Sequence, residues 1–137
     1  MSLTLEDLKE LYDSQIAYAK RMLTSDKFTK EAKATWQSYA HGVYSTVDKL
    51  MQYNLDLNEL PKMQMLKAEE ANKIKADYQI QLFNNTYYIK IDDYGQCFTL
   101  LLDNKEYGLG TYNTTPEPEI LYLVFQNIHD KNLEFFK

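Results

Sequence analysis

The sequence predicts an α+β protein: an N-terminal helical hairpin and a third helix, then a four-stranded antiparallel β-meander covered by a C-terminal helix. Three observations carry this reading. From Tyr78 to Tyr112 apolar and polar residues alternate in four runs separated by turn formers, the period of strands that bury one face. Ahead of that stretch, two long segments repeat apolar residues at helical spacing. Behind it, Pro116-Glu117-Pro118 opens a run too apolar for a solvent-facing helix.

The first helix is announced by Thr4 with Asp7 three residues on, a capping-box spacing with aspartate in the usual Glu or Gln position. Leu5, Leu8, Leu11, Tyr12, Ile16, Ala19 and Leu23 then form its apolar series, and Thr24 to Lys27 make a break short enough for an antiparallel neighbour. The second helix is expected from Thr29, with Phe28 as a staple, to about Tyr53 on the series Ala32, Trp36, Tyr39, Ala40, Val43, Val47, Leu50 and Met51. Gly42 interrupts this pattern and reads as a point of close packing, with His41 beside it on the wet face. Leu55, Leu57 and Leu60 alternate with turn formers in a connector that still packs, and Pro61 to Ala76 is expected as the third helix.

In the sheet, Tyr78, Ile80 and Leu82 share the apolar face of the first strand. Asn84-Asn85 is the expected turn, because asparagine tolerates positive φ. Tyr87, Ile89 and Ile91 then oppose Tyr88 and Lys90, and Asp92 to Gly95 turn the chain again. Phe98, Leu100 and Leu102 oppose Cys97, Thr99 and Leu101, which makes this strand apolar enough on both sides to be interior. Asp103-Asn104-Lys105 leads into a last strand, Glu106 to Tyr112, weakened by Gly108 and Gly110. Thr115 caps the final helix, with Pro116 at its first position, and Leu133 to Phe136 either prolong it or form a short strand. One α+β domain over 1–137 is expected, helical over 1–76 and with the sheet and last helix over 77–137.

Composition bounds the function. The net charge of −5 is concentrated in the last section: Asp77 to Lys137 holds nine acidic and four basic residues, whereas both sections before it balance. Direct nucleic-acid binding, which needs clustered Lys and Arg, is therefore not expected, while a basic protein partner is. Cys97 is the single cysteine, so neither an internal disulfide nor a cysteine-based zinc site can form. No basic start with a long apolar run opens the chain and no stretch has the apolar length of a membrane span, so a cytoplasmic protein is expected.

No motif carries a reaction. His41 and His129 lie 88 positions apart without flanking motifs, and no serine has a nucleophile-elbow context. Asp92-Asp93 lacks the ligand pattern of an EF-hand loop, and Gly108-Leu109-Gly110 lacks the lysine of a phosphate loop. No catalytic residue, metal or cofactor is assigned, and the chain reads as a non-catalytic protein–protein interaction protein. Its candidate contact residues are Tyr88, Tyr94 and Tyr112, which offer contact area at low entropic cost, with the acids Asp92, Asp93, Asp103 and Glu106. Phe135 and Phe136 are candidates for self-association, since bare aromatics at a terminus seek cover.

In overall character this small, acidic, Asn-, Lys- and Tyr-rich chain resembles accessory proteins of phages and other mobile elements in low-GC bacteria. That group includes inhibitors of host defence enzymes and toxin-immunity proteins. The resemblance extends over the whole chain and is one of composition, carried by no motif. It implies occlusion, with the acidic and tyrosine-bearing edge blocking a basic nucleic-acid channel or an active site, the partner being a basic nucleic-acid-handling enzyme. The alternatives are a self-associating scaffold built on the hairpin or on Phe135-Phe136, and a small-molecule-binding domain or cryptic enzyme.

Overall fold

A computed structural model describes residues 4–26, 29–54, 60–92, 97–109 and 115–135. They form four helices and one five-stranded antiparallel sheet, an α+β arrangement. The chain divides into two compact units, Met1–Asp56 with Phe125–Lys137, and Leu57–Val124.

The first unit holds α1 (Leu5–Leu23), α2 (Lys30–Asn54) and the second part of α4 (Glu117–Phe135). α1 starts where the capping box predicts: Thr4 Oγ1 accepts from the Asp7 amide, and the Asp7 carboxylate accepts from the Thr4 amide. Its buried stripe is Leu8, Tyr12, Ile16 and Ala19, so Leu11 falls off it and is exposed. α2 begins one residue after Thr29, whose hydroxyl accepts from the Ala32 amide as an N-cap. Ala40, Val47 and Met51 are its buried positions. The expected close packing at Gly42 is not found, since a Cβ there would meet nothing within 4 Å. The expected staple residue Phe28 lies outside the described residues.

In the second unit the sheet has one strand more than the alternation predicts. Within the stretch expected as a single helix, Gln64–Met65 forms β1 and only Ala68–Ile74 forms α3. The reason is Asp77, whose carbonyl accepts from the Leu66 amide and whose own amide donates to the Ile89 carbonyl. Its carboxylate also accepts from the Ile91 amide at 2.8 Å. A single residue thus ties the segment before α3 to the strands after it.

The strands β2 (Tyr78–Leu82), β3 (Asn85–Ile91), β4 (Phe98–Leu102) and β5 (Lys105–Gly108) follow β1 in simple order. Ile80 pairs with Tyr87, Ile89 with Leu100 and Leu100 with Tyr107, which puts the apolar series on one face as the period-two pattern requires. The turns differ by one residue from expectation. Leu82 pairs with Asn85 and Leu102 with Lys105, so the two-residue loops are Phe83-Asn84 and Asp103-Asn104. All four of those residues have positive φ, the conformation of a type I′ hairpin. The last strand ends at Gly108, short of the expected Tyr112, and residues 110–114 lie outside the described ones.

α4 begins at Glu117, one residue later than expected. The Pro116 carbonyl accepts the first helical bond, from Ile120, so Pro116 occupies the cap position and Thr115 precedes it. Ile120, Leu121 and Val124 are buried, and the helix continues through Leu133 to Phe135 instead of giving way to a strand. Among the described residues no helix is long and apolar enough to cross a membrane.

Candidate functional site

The acidic and tyrosine-bearing positions of the sheet are only partly brought together. Tyr88 in β3 pairs with Leu101 in β4, which pairs with Glu106 in β5, so these three form one row on the more polar face. Tyr88 is half-buried there, and the Glu106 carboxylate lies 3.3 Å from Lys90 Nζ, a surface ion pair. Asp92 follows β3, its amide bonded to the Cys97 carbonyl, whereas Asp103 follows Leu102 at the other end of β4. The length of β4 separates these two acids by roughly 20 Å, so they do not act as one anionic cluster. Asp93, Tyr94, Tyr112 and Phe136 lie outside the described residues. Phe135 is exposed at the end of α4, with Lys20 Nζ 5.1 Å from its ring centroid.

Two constellations in the first unit are better built. The first is an open groove on the hairpin, of about 420 Å³, lined by Leu11, Gln15, Tyr39, Gly42, Val43 and Thr46. The missing side chain at Gly42 keeps it open, while the Thr46 hydroxyl turns back to donate to the Gly42 carbonyl. The Tyr39 hydroxyl donates to Gln15 Oε1 across the two helices. Beside the groove, Tyr18, Trp36 and Tyr39 stand edge to face, with centroid separations of 5.5 and 5.2 Å, and Arg21 lies over Tyr18. Leu11, Tyr18 and Tyr39 are 40%, 41% and 38% exposed. These are large side chains in solvent, and the two tyrosines are each braced edge to face by Trp36.

The second constellation is buried. His129 on α4 is 3% exposed, and its Nδ1 lies 3.1 Å from the hydroxyl of Tyr12 on α1. Tyr44 of α2 stacks on the imidazole at 4.4 Å and 17°, and the ring of His41 meets it at 5.4 Å. Phe125 stands edge-on to Tyr12. Asn132 donates to the Tyr12 hydroxyl and to the Ile128 carbonyl, and accepts from Lys20 Nζ at 2.7 Å. His129 Nε2 is buried with no hydrogen-bond partner among the described residues. Burial, and secondarily His41, hold the His129 pKa below the ordinary 6.5; Asp130 opposes them. Burial likewise pushes the Tyr12 phenol up to about 12, partly offset by the bond from Asn132.

Neither constellation follows from a motif. His129 lies four residues after Phe125 on the buried stripe of α4, with the part-buried Asn132 three further on, and Tyr12 sits among Leu8, Ile16 and Ala19 on that of α1. A polar group on an apolar stripe must find a partner, which is the signal the sequence did carry. Among the described residues no group of three or more His, Cys, Asp or Glu side chains converges to hold a metal. Comparison with family models, with curated proteins and with solved structures gave no match to this chain.

Proposed function

We propose that the protein is a non-catalytic binding protein that engages a protein partner through the outer groove of its α1–α2 hairpin. The supporting observation is the ladder of Tyr18, Trp36 and Tyr39 beside that groove. Tyrosine and tryptophan dominate binding energy at protein interfaces, and rings already braced against one another lose little freedom on docking. The unit Leu57–Val124 carries a net charge of −4, with ten acidic and six basic residues, which favours encounter with a basic protein. Occlusion of a basic nucleic-acid-handling enzyme, the action of a mobile-element inhibitor, is the mechanism this reading implies.

Affinity purification of the tagged protein from its host, followed by mass spectrometry and sizing, tests the proposal. One stoichiometric basic protein, lost with Trp36→Ala and Tyr39→Ala but retained with Tyr88→Ala, is the expected result. A partner that instead follows Tyr88 and Glu106 would move the contact to the sheet. Recovery of the chain alone as a defined oligomer that Tyr39→Ala dissociates would show a second copy in the groove.

A further inference from the structure

Among the described residues His129 is enclosed by neutral groups and a second histidine, and the single acid that acts on it, Asp130, is exposed. From α1 it meets Tyr12, a neutral hydroxyl, with Lys20 one bond further out on Asn132. Asp13 lies close enough to act on the Tyr12 phenol. From α2 it meets the face of Tyr44 and the ring of His41. On α4 itself Asp130 is the one acid acting on it, and Asp130 is exposed.

A neutral imidazole can accept from Tyr12 at Nδ1 and leaves only an uncharged Nε2 without a partner among the described residues. A charged one donates at both nitrogens: Nδ1–H can turn to the Tyr12 oxygen, which already accepts from Asn132, but Nε2–H points at no acceptor among the described residues, so the charge is buried with one donor unpaired. The ring of the exposed His41 stands 5.4 Å away between centroids and works against a charge on His129.

We propose that His129, with His41 beside it, is a proton-operated latch: acidification charges the buried ring and frees the α4 segment from Phe125 onward from the α1–α2 hairpin. The direction follows from linkage. Histidine in the unfolded chain titrates near 6.5, and the caged ring binds its proton only at lower pH. The released state therefore takes up more protons, and docking weakens as pH falls below about 6.5. The elements that come apart are those joined by the Tyr12–His129, Tyr12–Phe125 and Lys20–Asn132 contacts.

The test is amide hydrogen exchange and histidine NMR on the full chain between neutral pH and about pH 5. The expected result is that protection of the amides from Phe125 to Phe135 falls at least about tenfold more than that of the β2–β4 amides, with His129 protonating as they open. His129 titrating at or above about 6.5 in a protein whose α4 amides stay protected overturns the latch. His129→Phe keeps a stacked ring without the titrating nitrogens and should abolish most of the acid-induced loss. An undiminished loss in that variant also overturns the proposal. Should the variant fail to fold, the wild-type titration decides alone.

Discussion

The Tyr12 hydroxyl lies 3.1 Å from His129 Nδ1 across 117 positions of sequence, both groups buried. This bond ties α1 to α4 and sets Nδ1 of the imidazole toward α1. Tyr12→Phe keeps the ring against Phe125 but strips His129 of its hydrogen-bond partner at Nδ1. A buried polar group left without its partner costs about 1–3 kcal/mol. Urea unfolding at neutral pH should show a loss of that size, and in the double variant with His129→Phe the two losses should not add. Additive losses would mean that the bond carries no coupling.

Alkaline pH should destabilise the same contact. The Tyr12 phenol ionises near 10 when unfolded but only at about 12 when folded, so between those values the native chain binds more protons than the unfolded one. Its contribution is intact below pH 10 and is lost as the pH rises toward 12, on the order of 2–3 kcal/mol in all. Urea midpoints across that range should fall more steeply for the wild type than for Tyr12→Phe. Equal slopes would show that the phenol ionises without hindrance.

Gly42 interrupts α2 although open space surrounds it. Gly42→Ala should therefore stabilise the protein by about 0.5–1 kcal/mol through helix propensity, because no neighbour must move. The added methyl also narrows the groove, so thermal unfolding and partner capture should change in opposite directions. A destabilised variant would show that the backbone at this position needs glycine.

Tyr39 and Trp36 separate binding from folding. Tyr39 is 38% exposed, and Tyr39→Ala should shift the urea midpoint little while weakening partner binding about tenfold or more. Trp36 is more enclosed and braces both tyrosines, so Trp36→Ala should lower both stability and affinity. Unchanged affinity in both variants would remove the groove from the interface.

Local order determined much of this protein. The capping box at Thr4 and Asp7 and the alternation through Ile80, Ile89 and Leu100 act between near neighbours, so helix starts and strand faces are legible in the sequence. The hairpin turns are less so. The Asn-rich stretch marks a turn, but pairing of Leu82 with Asn85 places Phe83 rather than Asn85 in it, because a partner strand sets register. Strand β1 exists through the bonds Asp77 makes to Leu66, Ile89 and Ile91, which no propensity near Gln64 announces.

The candidate sites lie further still from local reading. Leu11 looks like one more member of the apolar stripe of α1, and only the packing of Leu8, Tyr12, Ile16 and Ala19 leaves it in solvent to line a groove. His41 and His129 are 88 positions apart, and their rings meet because three helical segments bury their stripes together. Periodicity states that a side chain faces inward. Which side chain it meets there is decided by packing, since a buried polar atom must settle its hydrogen bonds with whatever the fold sets opposite it.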